Sequence, residues 1–500
     1  MHFKKSIILP VVFICLWALV QYFFARPESI VDDWNGWRQA DTQTIARNYL
    51  KPNSNIFYPQ INWGGIGPGY VESEFQLYTM IIALIMKYTG EAVWPGQVLN
   101  ILIFALSFYV LYGMLKEYFG EGAGLFGAAV FITNNGPVHL STSIQPDALC
   151  FLFYTLGLSF FLKCLRNYKH IDFILMAICT TLAALIKPLA LNILIIQFCF
   201  LCFIKSYLLK EAEIWLGWGV IVVITASHLA FSYNLYLAYG NTFGVIGGDS
   251  KFPTIQGLAC LINYPKLVYM TIAWGLGPLG AIAGLYLIIK RKLTPIEWAL
   301  VAGNFAAIVI PMRYTVSREW GAHYYIYTAI LGAWFLAHAF QYLQQKFFEK
   351  YCRIVVIICV TLIFINYAIS VYNRINPLTE HYNPAVTKLG YVLKNIAKRE
   401  DLIIVRSVSA EHENKAWGTR ANNYEDPRVF YIANVRGWVI PKDRCGADFI
   451  NKYAQSGAKY FVELFNHPDD PELNQWLNEN ATVVYNDKNG RIYKLEIKKI

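Results

Sequence analysis

Charge is what this sequence has least of. Only 15% of its 500 residues are Asp, Glu, Lys or Arg, against 56% hydrophobic and 16% aromatic, whereas a soluble domain carries about a quarter charged residues. The deficit excludes an ordinary soluble globular chain. Together with a mean hydropathy of +0.36, it points to a protein that crosses a membrane many times. Other absences narrow the reading. The ten Cys show no Cys/His spacing of a zinc site. Most lie in or beside apolar runs, and Cys199 and Cys202, one helix turn apart, read as buried small hydrophobes. Cys260 and Cys445 both fall on the outer side of the expected topology, which would allow them to pair. The net charge of +10 comes without a basic patch interleaved with exposed aromatics, so nucleic acid is not an expected partner. No stretch repeats 32–78 later in the chain, and the residues after 376 hold no nucleophile motif and no Gly-rich phosphate loop.

What is present is a series of apolar runs separated by short polar loops. Residues 1–5, MHFKK, and the apolar stretch 6–24 resemble the start of a signal peptide. Ala25-Arg26-Pro27 is a poor cleavage site, however, so 6–24 is expected as an uncleaved first helix with its amino end in the cytoplasm. Residues 75–89 are too short to cross about 30 Å of hydrocarbon and read as an interfacial helix. That choice puts Lys116, the Lys163/Arg166/Lys169 group, Lys205 and Lys210, Lys290-Arg291-Lys292, and the Lys346/Lys350/Arg353 group on one side, as the positive-inside bias requires. Eleven spans follow: 6–24, 97–115, 122–138, 147–163, 171–189, 190–206, 214–236, 267–289, 295–311, 324–343 and 354–372. Residues 1–375 then form a transmembrane domain with an outer loop at 25–96. Residues 376–500 form a small α/β domain outside, with helices at 384–398, 446–456 and 471–479 and strands at 402–406 and 460–464. A closing hairpin turns at Asn489-Gly490.

The outer loop contains the polar stretch 32–78, in which a short helix is expected at 39–50. Loops of that length without low-complexity filler usually serve a function. Asp41 and Glu74 lie in it, and Asp147 and Lys187 lie where apolar runs meet the same outer face. A charge near hydrocarbon costs about 2.5–3.5 kcal/mol on insertion scales, so such groups are paired or functional. Each also has a bland reading. Asp147 after Pro146 suits a helix start, and Lys187 before Pro188 suits a snorkelling helix end. Asp41 suits the first turn of a surface helix, and Tyr324, Tyr325 and Tyr327 suit an interfacial aromatic belt.

Trp37-Arg38-Gln39-Ala40-Asp41-Thr42, Phe57-Tyr58-Pro59-Gln60-Ile61 and Glu74-Phe75-Gln76-Leu77-Tyr78 occur in that order. They resemble the first outer loop of GT-C superfamily membrane glycosyltransferases, in the branch of the dolichyl-phosphate-mannose–protein mannosyltransferases and aminoarabinose lipid A transferases. Pro146-Asp147, Lys187-Pro188 and His323-Tyr324-Tyr325 continue the resemblance, which covers about residues 5–345. Thr42 after Asp41 and Gln76 depart from the pattern.

The resemblance implies a GT-C-type helical membrane fold and transfer of a sugar from a polyprenyl-phosphate donor, with inversion, on the outer face of a bacterial inner membrane. The acceptor, whether lipid, glycan or protein, is left unnamed. An attacking hydroxyl needs a base, and the lipid phosphate leaves as a stable anion that needs cations rather than an acid. Asp41 is thus the expected base, with Glu74 and Asp147 contacting sugar or acceptor. Arg38 and Lys187 are expected on the donor phosphate, helped by Arg313, Arg318 and His323. The carboxylates are hard oxygen donors, so a divalent metal stays an option. A transporter or lipid flippase, and a non-catalytic GT-C scaffold, are the alternative readings.

Overall fold

A computed structural model describes residues 5–33, 35–167, 169–246, 258–261, 263–309, 322–376, 384–407, 426–464 and 470–496. The chain divides into two compact units. One comprises Met1–Pro27, Trp94–His228 and Phe252–Leu378, and the other Glu28–Val93, Leu229–Lys251 and Thr379–Ile500.

The first unit is helical. Among the described residues, six helices are long and apolar enough to cross a membrane: Ile8–Ala25, Trp94–Phe119, Asp147–Arg166, Ala212–Tyr239, His323–Gln345 and Ile354–Ile375. The pair Asn263–Leu276 and Pro278–Ile289, bent by 106°, makes a seventh if it is one broken span. These helices make the protein an integral membrane protein. The expected runs at 122–138, 171–189 and 190–206 are apolar helices too, at Glu121–Thr133, His170–Ile186 and Pro188–Ile204, but shorter than a full crossing.

The last two expected spans are joined in one 48-residue helix, Thr328–Ile375, and side-chain contacts show that it folds back on itself. Phe340 lies 5.2 Å from the ring of Phe126, while Asn366 donates to Thr133 Oγ1 at 3.0 Å. In a straight helix Phe340 and Asn366 would stand about 39 Å apart, yet their partners are only about 10 Å apart along Glu121–Thr133. The two halves therefore run antiparallel. Tyr325 and Tyr327 are 1% and 2% exposed, which corrects the aromatic-belt expectation: they pack inside the unit and not against lipid. The thiols also depart from expectation, since Cys15 and Cys202 are exposed, and Cys260 and Cys445 are both free. Cys445 lies instead in the apolar core of the C-terminal sheet.

The second unit holds the outer loop and a five-stranded mixed sheet of order β2-β1-β3-β5-β4. Its strands are β1 Leu402–Arg406, β2 Arg436–Ile440, β3 Ala458–Leu464, β4 Ala481–Asp487 and β5 Gly490–Leu495. β1 runs parallel to both β2 and β3, and β5 runs antiparallel to β3 and β4. Strand alternation sends Ile404, Phe461 and Tyr493 into a core with Ile450, Leu473 and Leu477 of the helices Ala447–Gln455 and Pro471–Asn480. Helix Pro384–Ile396 contacts β3 and β5 and also packs on Arg428–Ala433. The sequence reading finds every strand but β2. The stretch RVFYIANVRGWVI is largely apolar, with no regular period to divide it into helix and strand, and a left-handed Asn434 (φ 54°) ends its first helix after six residues.

β2 does more than complete the sheet. Within this unit Gly437 N donates to Asn62 O at 3.0 Å and Gly65 N donates to Gly437 O at 2.8 Å, so the sheet edge pairs with the outer loop on both sides of Trp63. Gly65 takes φ +77°, and a Cβ there would lie 2.4 Å from Trp438 Nε1. A left-handed L-residue costs about 1–2 kcal/mol before any collision. Gly65→Ala is therefore expected to lower the melting temperature by several degrees, read by thermal denaturation in detergent. An unchanged midpoint would show that this pairing does not hold the loop.

Candidate active site

The short helix expected at 39–50 runs from Gly36 to Tyr49, and apart from Trp37 it is buried although its sequence, GWRQADTQTIARNY, is polar. Such a helix cannot be held by apolar burial. Its polar groups need partners, because each unpaired buried one costs about 1–3 kcal/mol. Arg38 Nη2 donates to Glu74 Oε2 at 2.7 Å, and Gln39 Nε2 to Asp33 Oδ2 at 2.7 Å. Arg47 meets Glu91 at 2.7 Å and Asn434 Oδ1 at 3.1 Å. Asn48 donates to Gln60 O at 2.7 Å.

Asp41 sits at the centre of this network, 2% exposed, and accepts the Trp63 indole N–H at 3.1 Å. Burial pushes its carboxyl up to about 7, and the charge of Asp426 adds to the rise, while the Trp63 hydrogen bond and the Arg38 guanidinium oppose it. Asp426 is itself held by Arg428, whose Nη2 and Nε reach it at 2.6 and 2.9 Å. Arg38 also lies 4.7 Å from the centroid of the Phe243 ring, and Phe243 lies 6.4 Å from Trp63. Arg38 and Glu74, taken from sequence as separate candidates, are thus each other's partners, with Asp41 close by.

The first unit brings together Asp147 and Lys187. Asp147 opens its helix just after Pro146, and Lys187 ends His170–Ile186 where Pro188 stops it. Lys187 Nζ stands 3.9 Å from Asp147 Oδ2, an ion pair longer than a hydrogen bond, with both side chains less than a tenth exposed. One turn further on, Cys150 Sγ is 3.2 Å from the Tyr327 hydroxyl. The turn Ala322–Tyr327, which includes His323, therefore lies against the start of the Asp147 helix. The His323 and Tyr324 rings lie 4.2 Å apart between centroids, tilted by 58°. Arg313 and Arg318 lie outside the described residues.

Trp63, Phe243, Asp426 and Arg428 escape sequence reasoning. Trp63, between Asn62 and Gly64, is the one with a local signal, an indole donor in a polar Gly-rich loop; the others are remote in the chain. Among the described residues no three His, Cys, Asp or Glu side chains gather to hold a metal ion, and the Glu74 carboxylate is engaged by Arg38.

The profile of the dolichyl-phosphate-mannose-protein mannosyltransferase family matches residues 76–231, a stretch that includes Asp147 and Lys187 and begins beyond Asp41 and Glu74. No curated protein sequence matches the chain. In overall structure the chain has the fold of the GT-C superfamily of membrane glycosyltransferases, as its motifs imply. It superposes on ArnT from Cupriavidus metallidurans, solved bound to undecaprenyl phosphate, with a TM-score of 0.62, 12% identity and 97% of each chain covered. The Archaeoglobus fulgidus oligosaccharyltransferase, in complex with Zn and sulfate, is similar at a TM-score of 0.53 and 12% identity, over 97% of this chain and 73% of that one.

Proposed function

We propose that this protein is a membrane glycosyltransferase. It moves a hexosyl or pentosyl group from a polyprenyl-phosphate donor to an acceptor hydroxyl on the outer face of a bacterial inner membrane. The observation that carries the reading is Asp41, a buried carboxylate oriented by Trp63 and poised near neutrality in a chain of GT-C fold. A base with that affinity for a proton combines availability with driving force at physiological pH.

In the step, the acceptor oxygen attacks the anomeric carbon and its proton passes to Asp41. The bond from that carbon to the phosphate oxygen breaks, and the pair leaves with the polyprenyl phosphate, inverting the centre. Lys187 takes up charge on the departing phosphate, with His323, Arg313 and Arg318 in support. Asp147 holds Lys187 and contacts the sugar or acceptor. Arg38 contributes to donor binding while it fixes Glu74, which orients the acceptor or sugar. Residues 1–375 with eleven spans, an outer loop at 25–96, a cytoplasmic amino end and an external domain from 376 complete the proposal.

Membranes containing the protein, given a panel of labelled polyprenyl-phosphate sugars and an extract of candidate acceptors, should transfer label from at least one donor. Movement of donor across vesicles with no acceptor present and no transfer would instead mark a flippase.

A further inference from the structure

Glu72 is fully buried and belongs to none of the pairs described above. Its carboxylate accepts the Thr242 hydroxyl, Val245 N at 3.2 Å and Ile246 N at 2.7 Å. Its backbone pairs with the same segment, since Glu72 N donates to Asn241 O at 3.0 Å and Phe243 N to Glu72 O at 2.9 Å. Gly244 N adds a bond to Thr242 Oγ1 at 2.7 Å. A single carboxylate thus gathers three donors, from Thr242, Val245 and Ile246, an arrangement suited to an acceptor with two oxygens and several lone pairs. The ring held at the middle of this segment is Phe243, which covers the Arg38 guanidinium and faces Trp63.

We propose that Glu72 is a positioning residue that latches 241–246, and thereby seats Phe243 against the two side chains that hold Glu74 and Asp41. The inference rests on the catalytic reading given above for Asp41. The charged groups facing Asp41 are Arg38 from its own helix and Asp426 with its partner Arg428. Removing the latch acts by admitting water beside Trp63 and Arg38, and hydration lowers the proton affinity of a carboxylate raised by burial.

Glu72→Gln keeps the size of the side chain but turns an amide N–H₂ toward donors. In that variant amide hydrogen exchange should accelerate at Thr242–Ile246 in the detergent-solubilised full chain. The kcat for transfer should fall about tenfold, and the pH midpoint of kcat/KM should move to lower pH by about one unit. Phe243→Leu leaves the latch closed, so it should reproduce the acid shift without faster exchange at Val245 and Ile246; Phe243→Tyr should keep the wild-type midpoint. Unchanged exchange in Glu72→Gln overturns the latch, and an unchanged midpoint in both Glu72→Gln and Phe243→Leu overturns its link to the base. A wild-type protein that transfers no sugar, or an Asp41→Asn variant that transfers normally, sinks the catalytic reading instead and leaves the exchange result to judge the latch alone.

Discussion

Asp41→Asn should abolish most transfer and leave the protein as stable as before, or more so, at pH 8. The loss is expected at about 10²–10⁴-fold in kcat, the usual contribution of a positioned general base. The stability expectation has the opposite sign from that of most core substitutions. Burial raises the Asp41 carboxyl from 3.8 to about 7, so the folded state binds this proton more tightly than the unfolded chain does. Its favourable contribution is complete below the unfolded value, falls between about 4 and about 7, and above that the ionised group costs the fold on the order of 4 kcal/mol. Asparagine removes that charge and still accepts the Trp63 N–H. Thermal melting and transfer assays on the same preparation check both halves. A variant that loses stability and activity together would mean that Asp41 is a structural carboxylate. The wild-type kcat/KM should accordingly rise with pH through a midpoint near neutrality and then level off.

Lys187→Met should cost about 10²–10³-fold in kcat/KM for the donor, the range for removing one preorganised group from a developing negative charge. It should also destabilise, because the Asp147 side chain, only 3% exposed, loses its ion-pair partner, and breaking a buried pair costs about 3–5 kcal/mol. The two effects separate in the double variant Asp147→Asn/Lys187→Met, in which no unpaired carboxylate remains. Its melting temperature should return close to wild type while transfer stays low. If transfer recovers with stability, Lys187 serves only to neutralise Asp147 and carries no phosphate.

Much of the fold is legible without coordinates because membrane and sheet impose strong local rules. Apolar runs near span length at Trp94–Phe119, Asp147–Arg166 and Ala212–Tyr239 follow directly from the length of hydrocarbon a helix must cross. The strand at Leu402–Arg406 and the hairpin through Asn489-Gly490 follow from alternation and turn chemistry. Helix Leu77–Thr89, 13 residues long, stays as short as its composition requires. The reversal inside Thr328–Ile375 is different in kind. The positive cluster at Lys346, Lys350 and Arg353 anticipates a turn there, but only the contacts of Phe340 and Asn366 demonstrate it.

The site divides along the same line. Sequence by itself determined which residues are chemically out of place, since a carboxylate or ammonium beside hydrocarbon is expensive enough that several at one outer face stand out together, although each alone suits a bland reading. It therefore singled out Asp41, Glu74, Asp147 and Lys187 as candidates, while Arg38 came from the motif resemblance. Tertiary structure alone decided who holds them: Glu74 on Arg38, Trp63 on Asp41, and β2 pairing with the loop on either side of that Trp. It also decided that Asp41 is poised near neutral pH, because proton affinity depends on the water excluded by neighbours as distant in the chain as Asp426. Composition and spacing record the charge, whereas its solvation is a property of the folded surroundings.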